Sequence, residues 1–145
     1  MERTFTAPDV DGLTEVVEFL SGELKAGDVV CFIGEMGAGK TTLIGKLLRN
    51  WGITAPVDSP TFALVNEFER TDGVPLYHFD FYRLNNATEA LQIGLEDYLN
   101  ANAICLMEWP QIVMPWLPDE LWMVHINEQN GGREIRVERT RREEQ

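Results

Sequence analysis

Eight consecutive residues, Gly34-Glu35-Met36-Gly37-Ala38-Gly39-Lys40-Thr41, match the pattern G-x-x-x-x-G-K-[ST] that cradles phosphate groups. Glycines let backbone N–H groups turn inward around phosphate oxygens that side chains would otherwise block. The lysine of such a loop reaches the outer phosphates, and the hydroxyl after it helps hold Mg²⁺. The loop, extended to Thr42 in the first turn of the next helix, is therefore the expected nucleotide-binding element. A glycine-rich turn that binds nothing has no need of Lys40, one of only three lysines in the chain. The setting agrees with the motif. Asp28 to Ile33 is a short apolar run of buried-strand type. Leu43, Ile44, Leu47, Leu48 and Trp51 recur at helical spacing, and Gly52 stands where a helix stop is expected.

A phosphate loop needs acids and a sensor around it. Ala103-Ile104-Cys105-Leu106-Met107-Glu108 is a nearly unbroken apolar strand ending in a carboxylate. A buried parallel strand that carries an acid to its C-terminal end supports Mg²⁺ beside the loop, so Thr41 and Glu108 are the expected metal ligands. In the run Leu76 to Leu84, Tyr77, Phe79 and Phe81 fall on one strand face and His78, Asp80 and Tyr82 on the other. An aromatic face seeks the core, which leaves Asp80 on the face able to orient a water near a terminal phosphate or take its proton. His78 reads as a hydrogen-bonded support, and Arg83 as the partner of a nearby carboxylate. In the segment after the loop helix, Ser59 and Thr61 are candidates to reach Mg²⁺ or the attacking water; capping hydroxyls in a plain connector are the competing reading.

The elements that position these residues follow from periodicity. Glu2 to Ala7 reads as a short strand, and from Pro8-Asp9 a helix is signalled by Leu13, Val16, Val17, Leu20 and Leu24 on one face. The start of that helix is a candidate neighbour of a nucleotide base. Two prolines mark residues 53–62 as a loop. Residues 62–69 and 76–84 read as an antiparallel hairpin around Asp72-Gly73. Short helices are expected near 88–92 and 95–98, and another over 111–116. Residues 120–127 and 133–139 read as a closing hairpin, with a frayed tail from Thr140.

Composition narrows the class. A chain of 145 residues reads as one domain, residues 1–145, with 44% hydrophobic and 25% charged residues. The start Met1-Glu2-Arg3-Thr4 does not read as a signal peptide, and no apolar run approaches the roughly 20 residues of a membrane helix. Cys31 and Cys105 sit in strand-like runs and read as buried free thiols. A cytoplasmic protein without a membrane partner is expected. The net charge of −12 argues against direct strong binding of nucleic acid, which many lysines and arginines normally hold. The basic cluster Arg133, Arg136, Arg139, Arg141 and Arg142 is interleaved with glutamates and reads as a solvated edge.

Four patches together resemble one family. Gly34 to Thr42, Ser59-Pro60-Thr61-Phe62, His78-Phe79-Asp80-Phe81-Tyr82-Arg83 and Glu108-Trp109-Pro110 are similar to TsaE, formerly YjeE, over essentially residues 1–139. The resemblance implies a small ATPase, with ATP and Mg²⁺ as cofactors. It is required for threonylcarbamoyladenosine modification of tRNAs reading codons that begin with A. In that family the ATPase works with TsaB and TsaD and does not itself transfer the threonylcarbamoyl group. The resemblance implies ATP contacts by Gly34, Glu35, Met36, Gly37, Ala38, Gly39, Lys40, Thr41 and Thr42, and by Arg133 from a late region. It implies Thr41 and Glu108 as Mg²⁺ ligands, Asp80 and Thr61 as catalytic residues, and Ser59 to Phe62 as a mobile switch. The expected fold class is α/β: a three-layer P-loop NTPase-like fold, with a mixed, mostly parallel central sheet, antiparallel hairpins and helices on both faces. Rival readings are a small-molecule kinase using the same loop and a nucleotide-gated interaction module with little turnover.

Overall fold

The computed structural model describes residues 2–55 and 64–141. Strands β1 (Glu2–Ala7), β2 (Val29–Ile33), β3 (Val65–Glu69), β4 (Pro75–Asp80), β5 (Ile104–Glu108), β6 (Glu120–Gln129) and β7 (Gly132–Arg141) form one sheet in the order β1-β7-β6-β2-β5-β4-β3. The three central pairings, β6·β2, β2·β5 and β5·β4, are parallel. The outer pairings, β1·β7, β7·β6 and β4·β3, are antiparallel hairpins or a returning edge. The mixed α/β architecture expected from the sequence is therefore present, with its parallel part confined to the centre.

Helices cover both faces. Helix α1 (Thr14–Glu23), entered through a 3₁₀ turn at Val10–Leu13, and helix α2 (Lys40–Asn50) lie on one face. Their Val16, Leu20, Leu43, Ile44 and Leu47 join Val30, Phe32, Ile104, Leu106 and Val124 in one core. Helices α3 (Thr88–Gln92) and α4 (Leu95–Leu99) and the 3₁₀ helix Pro110–Trp116 lie on the other. There Ala90, Leu95 and Val113 pack with Cys31, Phe79, Cys105 and Met107. The alternation along each strand thus resolves into two cores, which is why β2 and β5 read as unbroken apolar runs. The same two-residue period decides the site. On β5, Ile104 and Leu106 face α2, so Glu108 faces α2 as well. On β4, Leu76 faces α2, and His78 and Asp80 follow it.

Several boundaries differ from the sequence reading. Strand β4 ends at Asp80, so Phe81 to Leu84 lie in the turn beyond it. The polar face of β4 is no solvated surface: α2 covers it, and His78 is completely buried. The closing hairpin is longer than expected, because Asn130 and Gly131 alone make the turn, with φ of 50° and 81°. Two left-handed residues give the turn whose twist matches the flanking strands. Thr140 and Arg141, expected in a frayed tail, pair with Leu121 and Glu120. Cys31 and Cys105 are free and buried, and burial pushes both thiols up to about 12. No helix among the described residues is long and apolar enough to cross a membrane.

Candidate nucleotide-binding site

The chain turns from β2 into the glycine loop and then into α2, with Lys40 as the first helical residue. Gly39 caps that helix at φ 104°, a left-handed conformation in which a Cβ is strained. Gly34 faces a different constraint, since a Cβ there would stand 2.7 Å from the Ile126 carbonyl oxygen and 3.0 Å from the Ala38 Cβ. The loop is therefore seated tightly on β6. The positive end of α2 and the loop N–H groups open onto a cavity of about 270 Å³. Asp80, Glu108, Tyr82 and Trp109 close its other side.

Among the described residues the buried polar side chains are Lys40, His78 and Glu108, at 5%, 0% and 3% exposure. Lys40 and Glu108 line this cavity, and His78 reaches it only through its contact with Glu108. The Thr41 hydroxyl lies 3.0 and 3.1 Å from the two carboxylate oxygens of Glu108, joining α2 to the end of β5. His78 Nε2 lies 2.7 Å from Glu108 Oε2. Asp80 stands opposite Glu108 in the β4·β5 register, and the Phe81 N–H donates to the Glu108 carbonyl at 3.1 Å. The half-buried Asp80 accepts from the Tyr82 N–H at 3.0 Å. Burial pushes its carboxyl above the usual range, Glu108 adds to this, and the Tyr82 N–H, His78 and Lys40 pull the other way.

Lys40 does not extend into open solvent. Its ammonium donates to the Gly34 carbonyl, lies 3.4 Å from the Glu35 carbonyl, and sits 3.8 Å over the Trp109 ring. Burial lowers its pKa, partly offset by Glu108 and Asp80. Trp109 has φ 54°, between a strand end and Pro110, and its ring leans on Tyr82 at 5.0 Å. Tyr82 itself is 55% exposed, beyond the strand that was expected to carry it.

The loop, Thr41, Asp80 and Glu108 are thus brought together, as the sequence reading required. Arg133 also arrives at the loop, but its guanidinium donates to the Ala38 carbonyl at 2.8 Å and lies 3.5 Å from that of Gly37. In this arrangement it braces the loop from behind. Arg83 is exposed and makes no ion pair among the described residues, so the expected carboxylate pairing is absent there. Thr61 and Ser59, with the rest of Ser59 to Phe62, lie outside the described residues. Trp109 is the residue that sequence reasoning left without a role. An aromatic directly after the strand-end acid and before a proline was its only signal. A second cavity, of about 350 Å³, flanks the loop on its other side, lined by Pro8, Leu13, Thr42 and Arg133 among others.

A hydroxyl beside a carboxylate suits Mg²⁺, which is usually held by one or two protein oxygens together with substrate phosphates. No group of three His, Cys, Asp or Glu able to hold a metal occurs among the described residues. The donor set therefore fits an ion carried in with phosphates better than a cage built by protein alone.

The strand–loop–helix unit, the parallel strands around it and the acid at the neighbouring strand end define a P-loop NTPase-like α/β protein. The family model for the threonylcarbamoyl adenosine biosynthesis protein TsaE matches residues 7–136, and the chain belongs to that family. Curated relatives carry the name tRNA threonylcarbamoyladenosine biosynthesis protein TsaE. The one from Bacillus subtilis is 43% identical over 66% of this chain and 59% of its own length. That from Haemophilus influenzae is 39% identical over 72% and 65%, and that from Synechocystis 38% identical over 80% and 74%. The first two matches thus span less than two thirds of those relatives. Among solved structures, Bacillus subtilis YdiB superposes with a TM-score of 0.77 at 29% identity, covering 94% of this chain and 84% of that one.

Proposed function

We propose that this chain binds ATP with Mg²⁺ and hydrolyses it in the cytoplasm. It serves as an accessory ATPase in threonylcarbamoyladenosine modification of tRNAs reading ANN codons, with TsaB and TsaD as its protein partners. The modification pathway is suggested by the names its relatives bear. The observation that carries the ATPase reading is the Thr41–Glu108 contact at 3.0 Å, formed beside Asp80 at the mouth of a glycine loop. It brings a hydroxyl, a metal-type carboxylate and a candidate base to one cavity beside the loop.

In this reading the loop N–H groups and the α2 N-terminus bind the phosphates, and Lys40 turns from the loop carbonyls to the outer ones. Thr41 and Glu108 hold Mg²⁺, which when bound neutralises charge on the phosphate oxygens. Asp80, kept partly out of water, orients the attacking water and accepts its proton. Its raised pKa makes it a better base than an ordinary aspartate. Thr61 belongs to the segment that senses the terminal phosphate. Arg133 holds the loop in shape, and the second cavity, at the start of the first helix, receives the base. With a net charge of −12, the chain leaves tRNA to its partners.

The test is release of phosphate from ATP with no acceptor added, alone and with TsaB and TsaD. Hydrolysis that is stimulated by the partners and falls about 100-fold or more in Asp80→Asn supports the reading. Strict dependence on a phosphate acceptor would make the chain a kinase instead.

A further inference from the structure

We propose that His78 is a positioning residue that holds the Glu108 carboxylate in its Thr41-facing orientation and thereby sets how tightly Mg²⁺ joins the nucleotide complex. The inference rests on the reading of Thr41 and Glu108 as the Mg²⁺ ligands. Three elements meet at one carboxylate. From β4, His78 Nε2 reaches Glu108 Oε2 at 2.7 Å; from α2, the Thr41 hydroxyl lies 3.0 Å from Oε1. A glutamate has three rotatable bonds, and a strand end fixes only its backbone. Lys40 and Asp80 also lie near enough to the buried carboxylate for their charges to interact with it. The imidazole on Oε2 restricts rotation of the carboxylate and keeps both of its oxygens, at 3.0 and 3.1 Å, toward the Thr41 hydroxyl.

Packing does not account for this histidine. It follows Leu76 on the face that α2 covers and is completely buried, where an apolar side chain would extend the core. His78 Nδ1 has no hydrogen-bond partner among the described residues. Among the described residues, the polar contact that offsets burial of this ring is the one between Nε2 and the Glu108 carboxylate. Hydrogen-bonded partners of metal ligands commonly change metal affinity by about 10- to 100-fold when removed.

Two near-isosteric variants separate the hydrogen bond from the shape. In His78→Gln the amide nitrogen reaches the position of Nε2; in His78→Asn it reaches only that of Nδ1. Calorimetry with a non-hydrolysable ATP analogue, with and without Mg²⁺, reads the effect without catalysis. His78→Asn is expected to need about 10- to 100-fold more Mg²⁺, with analogue affinity in the absence of Mg²⁺ unchanged, and His78→Gln to stay near wild type. An unchanged Mg²⁺ requirement in His78→Asn, or equal losses in both variants, overturns the proposal. Glu108→Gln tests the underlying reading separately: if it leaves the Mg²⁺ requirement unaltered, the ligand assignment fails, whatever His78 does. A measurement on the unaltered chain needs no variant to fold. The chain has two histidines, His78 and His125, so ¹⁵N NMR can assign the ring tautomers. A proton on His78 Nε2 supports the proposal, and a bare Nε2 overturns it.

Discussion

The ammonium of Lys40 sits 3.8 Å over the ring of Trp109 while the same group donates to the loop carbonyl of Gly34. A cation over an aromatic face is worth about 0.5–2 kcal/mol, depending on desolvation. The lysine thus lies against its own loop and a strand-end tryptophan. On the proposed reading, phosphate would draw it away and Trp109 would lose its cation. Addition of ATP is expected to change tryptophan fluorescence, with most of the change coming from Trp109 among the four tryptophans Trp51, Trp109, Trp116 and Trp122. The measurement is a titration of wild type against Trp109→Phe; an undiminished change in the variant would place the reporter elsewhere.

Lys40→Ala removes the cation proposed to meet the outer phosphates. Truncating one member of a buried charge pair costs about 2–5 kcal/mol, so ATP affinity is expected to fall by a factor of ~30 or more. Calorimetry checks it. Unchanged affinity would remove the loop lysine from the binding site.

Asp80→Asn separates activity from stability. The folded carboxyl has a pKa above its ordinary 3.8, because burial disfavours the charged form. The folded state therefore binds more protons than the unfolded chain between these two values, and stability falls as pH rises through that window. At neutral pH the charged Asp80 is a cost that the neutral amide avoids. Asp80→Asn is expected to raise Tm at neutral pH by at most about 4 °C, since the group is only half-buried and screened. The gap is expected to narrow as pH is lowered and vanish below both pKa values. A thermal scan across pH reads the gap, and a lower Tm in the variant at neutral pH would contradict the assignment.

Gly34→Ala tests how tightly the loop is seated. The new methyl would stand 2.7 Å from the Ile126 carbonyl oxygen, so the loop or β6 must shift. Overpacking of this kind costs about 1–3 kcal/mol. A loss of that size in urea unfolding is expected, together with weakened ATP binding because the loop N–H groups are displaced. Wild-type stability in the variant would show that the contact relaxes freely.

Most of the frame was legible in the residues. The apolar runs of β2 and β5, the helical spacing from Leu43 to Leu48 and the loop pattern between them depend on local periodicity, which a linear chain displays. Glu108 was legible as the acid at a strand end, and Asp80 as an acid on the polar face of a strand that read as running on to Leu84. The readings that changed were those in which a distant element decides. His78 reads as a hydrogen-bonded support and is one, but that α2 packs over its face and buries the ring completely is not displayed along the chain. Tyr82 continues the alternation of β4 on paper, but the strand stops at Asp80 and leaves the ring exposed against Trp109. Arg133 lies in a charged run that suggests a solvated edge, and it braces the loop from a strand 95 residues away from Ala38.

The sequence by itself determined that a phosphate loop stands between a buried strand and an amphipathic helix, and that a second buried strand ends in an acid. Spacing and side-chain chemistry along the chain are enough for that. Only the tertiary structure decided that Thr41 and His78 grip the same carboxylate, that Lys40 rests on Trp109, and that Arg133 holds the loop. Each of those is a contact between residues far apart in sequence. Its geometry comes from the strand order β6-β2-β5-β4, in which parallel pairing brings the ends of separate strands to one side of the sheet.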